Sequence, residues 1–337
     1  MYKIILVLLF PLIVSSASAQ TEATSASQPL DVLLDIFSKA RQYSVYRNEI
    51  NWEGLGKDVL SGSDKHPDSA FQRKVQRLFE AINDKHAMLL YKGKMLVRAP
   101  GPGLSIDKVR PVLKEALKNG PKGIKTEMLA NGYGYILVPG GNKNIHEVSQ
   151  QIQDSLCSLG LKDIKGLVVD LRLNEGGSIY PLFTGLHQLF GSKFIGYNSN
   201  LKGNLSNRWK VENGKYYQNK AVVASVKSKC QPNKNLKIVI LTSQITASAG
   251  EILAVAFKGR ENTVFIGENT YGLTTLNSEF KLGDYYLALS SAFIADRNGK
   301  VYYDYVSPDI EMIDEDNFID LLQDAKIQRA MKWFREF

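Results

Sequence analysis

Ile238-Val239-Ile240-Leu241-Thr242 runs directly into Ser243-Gln244-Ile245-Thr246-Ala247-Ser248-Ala249-Gly250-Glu251, and an apolar run to about Lys258 follows. The β-branched, apolar opening reads as a buried strand, the small polar residues as a turn, and the rest as a helix beginning at Ser248. The first N–H groups of a helix have no intrahelical partner and carry the positive end of its dipole. An oxyanion formed beside Ser248 could therefore accept a hydrogen bond from the N–H of Ala249, which makes Ser248 a candidate nucleophile. Taken alone, the segment also fits an ordinary helix N-cap serine.

A second junction of the same kind lies upstream. Gly166 to Leu171 reads as a buried strand; Val168-Val169-Asp170-Leu171-Arg172 leads into Leu173-Asn174-Glu175-Gly176-Gly177-Ser178, and Tyr180 to Phe190 has helical spacing. Paired glycines at a strand end permit positive φ and close backbone approach, as a second oxyanion donor requires. A simple turn fits the pair as well. Two such junctions suggest one donor from each, Ala249 and either Gly176 or Gly177.

Around these junctions, strands and helices alternate. Gly134 to Val138 reads as a strand, and Ile145, Val148, Ile152, Leu156 and Leu159 form a helical stripe, so the region is an α/β domain with parallel strands. A hairpin turning at Arg297-Asn298-Gly299 adds antiparallel structure, and Asn317 to Phe337 reads as a helix with Lys332 and Arg335 late, as the macrodipole favours. Before the domain come two short strands, Met88 to Tyr91 and Met95 to Val97, and a break at Pro100-Gly101-Pro102-Gly103. Pro29 opens a helix carrying Leu30, Leu33, Leu34, Phe37 and Ala40; a turn-rich stretch from Leu60 to Ser69 separates it from a second with Phe71, Val75, Leu78, Phe79 and Ile82. The expected division is 1–19 signal peptide, 20–83 helical domain, 84–313 catalytic core and 314–337 C-terminal helix.

The signal peptide follows from Lys3, the apolar run Ile4 to Val14 and the small-residue stretch Ala17-Ser18-Ala19, with cleavage expected before Gln20. No later segment reaches the ~20 apolar residues of a membrane-spanning helix, so a secreted or periplasmic protein without stable membrane insertion is expected. In an oxidising compartment Cys157 and Cys230 could pair; two buried free thiols fit the sequence nearly as well. With 44% hydrophobic residues, 23% charged and 337 in all, the chain is an ordinary globular protein rather than a disordered or disulfide-framework one. Its formal charge of +8, or +7 once Lys3 is removed, is spread among acids and predicts no nucleic-acid partner.

Several chemistries are excluded. His146-Glu147 begins an HExxH-like string that ends in Gln150, and four histidines and two cysteines lack zinc-ligand spacing. There is no phosphate-binding Gly-rich motif, so no metal and no cofactor is expected. A serine nucleophile needs a base, and His66, His86, His146 and His187 all precede Ser248, which rules out the Ser, acid, His order of an α/β-hydrolase. His86 is the best candidate because Asp84-Lys85-His86 closes a helix and opens a strand. The others read as loop, helix-start and helix-surface residues.

Together these pieces resemble the C-terminal processing (tail-specific) peptidase family, which is related to the tricorn protease core and the interphotoreceptor retinoid-binding proteins. The resemblance covers roughly Asp84 to Met312. It rests on Val169-Asp170-Leu171-Arg172-Leu173-Asn174-Glu175-Gly176-Gly177, Thr246-Ala247-Ser248-Ala249-Gly250-Glu251, Ile266-Gly267-Glu268-Asn269-Thr270-Tyr271-Gly272 and Val306-Ser307-Pro308-Asp309-Ile310. It implies a crotonase- or ClpP-like core of ββα repeats, Ser248 as nucleophile, and an oxyanion hole from Ala249 and the Gly176-Gly177 turn.

Two departures refine the expectation. The lysine of the Ser-Lys branch is replaced by Leu273 in Gly272-Leu273-Thr274, which cannot act as a base. The tricorn-like branch uses a histidine, matched by His86 in Asp84-Lys85-His86-Ala87, and an acid before the Pro-Asp motif, for which Asp304 is the nearest carboxylate and Asp84 the fallback. Only 47 residues separate His86 from Gly134, too few for a PDZ domain. The resemblance thus implies a PDZ-less Ser-His serine peptidase acting on protein or peptide substrates; the rival is an inactive binding protein on the same fold.

Overall fold

The computed structural model describes residues 29–61, 67–101, 106–141, 144–218 and 220–336. The expected signal peptide, its cleavage point and His66 lie outside them. The chain divides into two compact units, the first comprising Met1–Gly103, Asn200–Lys202 and Thr275–Phe293, the second Leu104–Ser199, Gly203–Thr274 and Ile294–Phe337.

The first unit packs three helices, α1 (Pro29–Tyr43), α2 (Trp52–Leu60) and α3 (Pro67–Ala81), with an antiparallel sheet. Its strands are β1 (Met88–Tyr91) and β2 (Lys94–Arg98), joined later in the chain by β12 (Thr275–Leu282) and β13 (Tyr285–Ala295). They lie in the order β2, β1, β13, β12. Phe71, Val75, Leu78, Phe79 and Ile82 are all buried, as the stripe on α3 predicts. Each such side chain contributes about 1.5–3 kcal/mol. On α1 the buried face is Val32, Leu33, Ile36 and Ala40, while Leu30 and Leu34 of the expected stripe are exposed. Helix α2, capped by the Asn51 side chain on the Gly54 N–H, is not legible as a stripe because only Val59 is buried.

The second unit is built on a six-stranded sheet: β3 (Lys125–Leu129), β4 (Tyr133–Leu137), β5 (Gly166–Asp170), β10 (Lys237–Thr242), β11 (Thr263–Gly267) and β15 (Ile310–Glu311). They lie in the order β15, β11, β10, β5, β4, β3, parallel throughout except for the edge strand β3. Strands β4, β5 and β10 are buried on both faces, which is why they read as continuous apolar runs. Helices α4 (Pro111–Asn119), α5 (Ile145–Ser158), α6 (Ile179–Gly185) and α7 (Ala249–Phe257) lie between strands. An antiparallel meander, β6 (Phe194–Ser199), β7 (Leu205–Glu212), β8 (Lys215–Gln218) and β9 (Ala221–Ser225), precedes β10, and β14 (Val301–Tyr302) pairs with the end of β13.

The fold is thus the expected mixed α/β class, with a helical N-terminal region and a sheet-rich core. The tail departs from expectation. Its helix, α8 (Ala325–Glu336), starts only after Asp324, whose carboxylate accepts from the Ile327 N–H. The preceding residues turn inward instead because fully buried Arg172 draws Asp316 and Asp324 to within 2.6 Å, beside its own partner Asp170. Cys157 on α5 and Cys230 form a disulfide, which resolves the pairing the sequence leaves open.

Candidate active site

Strands β5 and β10 are parallel neighbours in register, Asp170 beside Leu241, so the turns leaving both emerge at one carboxyl edge of the sheet. The two turns are then stitched together. Thr246 Oγ1 donates to the Leu171 carbonyl (2.8 Å), Ser243 Oγ to the Arg172 carbonyl (2.7 Å), and the Ala247 N–H to the Asn174 carbonyl (2.9 Å). The Asn174 side chain donates in turn to the Val138 carbonyl at the end of β4 (3.0 Å).

At the end of this turn Ser248 is held at φ 50° and ψ −113°, a conformation costly for a non-glycine residue, and α7 starts at the next residue. A buried carboxylate secures the strain. Glu251 Oε2 accepts from the N–H groups of Ser248 (2.8 Å) and Leu273 (2.7 Å), and Oε1 from the Gly272 N–H (2.8 Å) and the Thr270 hydroxyl. Burial pushes the Glu251 carboxyl up to about 7, against those four donors, which favour the anion. The turn at Gly272-Leu273, where the Ser-Lys branch places its lysine, is therefore tied to the start of α7, and Leu273 is buried.

Gly176 and Gly177 have φ of 108° and 119°, confirming that the turn needs glycine conformations. Their N–H groups are used differently. The Gly176 N–H is taken by Asn174 Oδ1 (3.1 Å), and its carbonyl accepts from the Gly141 N–H (2.9 Å). Among the described residues the N–H groups of Gly177 and Ala249 have no hydrogen-bond partner, which leaves this pair free for an oxyanion.

In the first unit, His86 lies in the turn between α3 and β1. Its Nδ1 meets Thr275 Oγ1 at 2.9 Å, and Nε2 has no partner among the described residues. Burial, then the charge of Arg98, lowers its pKa to about 4 against a hydrogen bond that the ring donates to the Thr275 backbone, which raises it, so the imidazole is neutral at pH 7. Asp304, the acid expected to orient this ring, belongs to the second unit. Asp304 is exposed between exposed Tyr303 and Tyr305, and among the described residues its carboxylate has no hydrogen-bond partner. Asp84, the fallback, is buried and accepts from the His86 backbone N–H (3.0 Å). His146 sits in the first turn of α5 under the Asn144 cap, and His187 Nδ1 meets the Thr184 carbonyl at 2.7 Å, both structural positions.

Sequence reasoning passed over Thr275, Ser290 and Glu251. The signals were there: Ser290-Ser291 interrupts the apolar run of β13, and Glu251 falls three residues after Ser248, the spacing of a capping box.

Comparison with known proteins fits this geometry. The chain is 31% identical over 198 residues to the nisin-resistance protein of Lactococcus lactis subsp. lactis, covering 56% of this chain and 60% of that one. It is 27% identical over 161 residues to the carboxy-terminal processing protease CtpA of Bacillus subtilis strain 168, covering 48% and 30%. The chain thus matches less than two thirds of the length of either. Among solved structures, a lipoprotein from Streptococcus agalactiae superposes with a TM-score of 0.68 at 21% identity over 94% of this chain and 99% of that one. The photosystem II D1 C-terminal processing protease superposes with a TM-score of 0.58 at 14% identity, over 90% and 97%; both share the fold. Residues 132–312, which include both junctions and the tied Gly272-Leu273 turn, match peptidase family S41, and the chain belongs to that family.

Proposed function

We propose that the chain is an exported serine peptidase with Ser248 as nucleophile and His86 as base. The observation that carries the reading is the Ser248 turn, a strained serine at a helix start beside two N–H groups, from Ala249 and Gly177, that have no partner among the described residues. Ser248 and His86 belong to different units, and pairing them rests on the chemistry of each and on family membership.

In this scheme His86 Nε2 takes the Ser248 Oγ proton as the oxygen attacks the amide carbonyl. The tetrahedral oxyanion is held by the N–H groups of Ala249 and Gly177, at the positive end of α7. His86 then protonates the leaving amine, and water, activated by the same imidazole, releases the acyl group. No cofactor takes part. Export is supported by the signal-like first residues and by the Cys157–Cys230 disulfide. No helix among the described residues is long and apolar enough to cross a membrane.

The test is hydrolysis of an unstructured polypeptide, with nisin as a second substrate because of the relative named for resistance to it. Mass spectrometry should find new fragments with the chain from Gln20 and none with Ser248→Ala. Cleavage that persists in the variant overturns the assignment.

A further inference from the structure

Within the first unit, a hydrogen-bonded chain runs inward from the imidazole. His86 Nδ1 meets Thr275 Oγ1 at 2.9 Å, Thr275 Oγ1 meets Ser290 Oγ at 2.9 Å, and Ser290 Oγ donates to Asp84 Oδ1 at 2.6 Å. Asp84, Ser290 and Thr275 are all buried, on the α3–β1 turn, on β13 and at the start of β12. The arrangement closes on itself, since Asp84 Oδ1 also accepts from the backbone N–H of His86 and Oδ2 from that of Ser290 (2.8 Å).

We infer that Asp84 sets the tautomer of His86 through the Thr275 and Ser290 hydroxyls, so that all three are positioning residues for the base. The inference rests on the reading of His86 as that base.

The argument is one of hydrogen-bond direction. An ionised carboxylate only accepts, so Ser290 Oγ–H must point to Asp84. The Ser290 oxygen is then free to accept from the Thr275 hydroxyl, and the Thr275 oxygen accepts from His86 Nδ1–H. The proton is thereby fixed on Nδ1 and the lone pair on Nε2, the nitrogen that has no partner among the described residues and that the mechanism needs. As the imidazolium forms, both hydroxyl dipoles already point the right way, so the chain does the work that a carboxylate does by direct contact in a serine triad. Burial pushes the Asp84 carboxyl upward, against the serine hydroxyl and the backbone hydrogen bonds of Ser290, His86 and Ala87, which favour the anion. A neutral Asp84 would instead donate to Ser290, reverse both hydroxyls and place the imidazole proton on Nε2. The anion and neutral acid therefore predict opposite tautomers. Arg98 is the charged neighbour that acts on the ring, and it does not join the chain.

The test is the tautomer itself, read by long-range ¹H–¹⁵N correlation on the full mature chain at pH 7. The expected result is a protonated Nδ1 and an unprotonated Nε2 for His86. In Thr275→Val that preference should be lost and kcat should fall roughly 10- to 100-fold with KM nearly unchanged, and Thr275→Ser should restore both. Ser290→Ala should act like Thr275→Val. A protonated Nε2 in the unaltered protein overturns the inference, and so does an unchanged tautomer in Thr275→Val. If that variant does not fold, the unaltered protein still decides. Because the tautomer is read without substrate, an inactive protein with Nδ1 protonated refutes the peptidase and not the relay.

Discussion

A Cβ placed on Gly176 would come within 2.9 Å of the Ser248 Cβ and 3.2 Å of the Ala247 carbonyl oxygen. The Gly-Gly turn after β5 and the serine after β10 are thus in van der Waals contact, and neither can change without moving the other.

Gly176→Ala should therefore displace Ser248. Turnover is expected to fall about a hundredfold, the order of effect that a misplacement near 1 Å produces. Gly177→Val should cost a similar factor by another route, since a β-branched residue resists a φ of 119° and the oxyanion donor moves with it. Turnover per folded molecule, measured beside the melting temperature, separates these from simple instability. A strong thermal shift with unchanged turnover would make the turn purely structural.

The half-buried His86, its pKa lowered by desolvation and by Arg98, predicts an acid-tolerant enzyme. A base must be neutral, and the ring is neutral above its folded pKa of about 4, so kcat/KM should stay level from pH 7 to about 5 and fall below that. Arg98→Ala removes a cation that opposes protonation and should move this limb to higher pH. The same depression means that neutral burial favours the fold above about pH 6.5, the ordinary imidazole value, and that this contribution is lost as pH falls through about 4. An acidic limb at 6.5 or above in the unaltered protein would contradict the burial argument.

Glu251→Gln leaves backbone N–H groups facing an amide nitrogen. A loss of about 1–3 kcal/mol in stability is expected, together with lower turnover as the Ser248 turn relaxes. The sign with pH is specific. A folded pKa near 7 exceeds the usual 4.5, so the Glu251 contribution is full below about 4.5 and is lost as pH rises through 7. Denaturation at pH 5 and pH 8 should show the larger penalty of the variant at pH 5.

Cys157 and Cys230 are 73 residues apart in sequence, and closing a loop of that size stabilises the fold by about 4 kcal/mol in the chain-entropy picture. Thiol titration of the unfolded, unreduced chain should find no free thiol. The double serine variant should melt at a lower temperature.

The parallel sheet was legible because β4, β5 and β10 are buried on both faces and carry unbroken apolar runs, and the two junctions because small residues and paired glycines stand at the strand ends. The meander from Phe194 to Ser225 was not, since its strands alternate poorly and expose Leu205, Val222 and Val223. The tail helix starts later than the sequence suggests because Asp316 and Asp324 are both consumed by Arg172, about 150 residues upstream. The surroundings of His86 failed for the same reason: Thr275 and Ser290 meet Asp84 only through strands that are adjacent in space and about 190 to 206 residues away in sequence.

The central claim, that Ser248 is an activated nucleophile, is tested most directly by treating the folded protein with a fluorophosphonate and locating the adduct by peptide mass spectrometry. The account predicts one adduct, on Ser248, lost in Ser248→Ala and greatly slowed in His86→Ala. An adduct elsewhere, or none on a protein shown to be folded, would contradict it and favour a binding protein built on a peptidase fold.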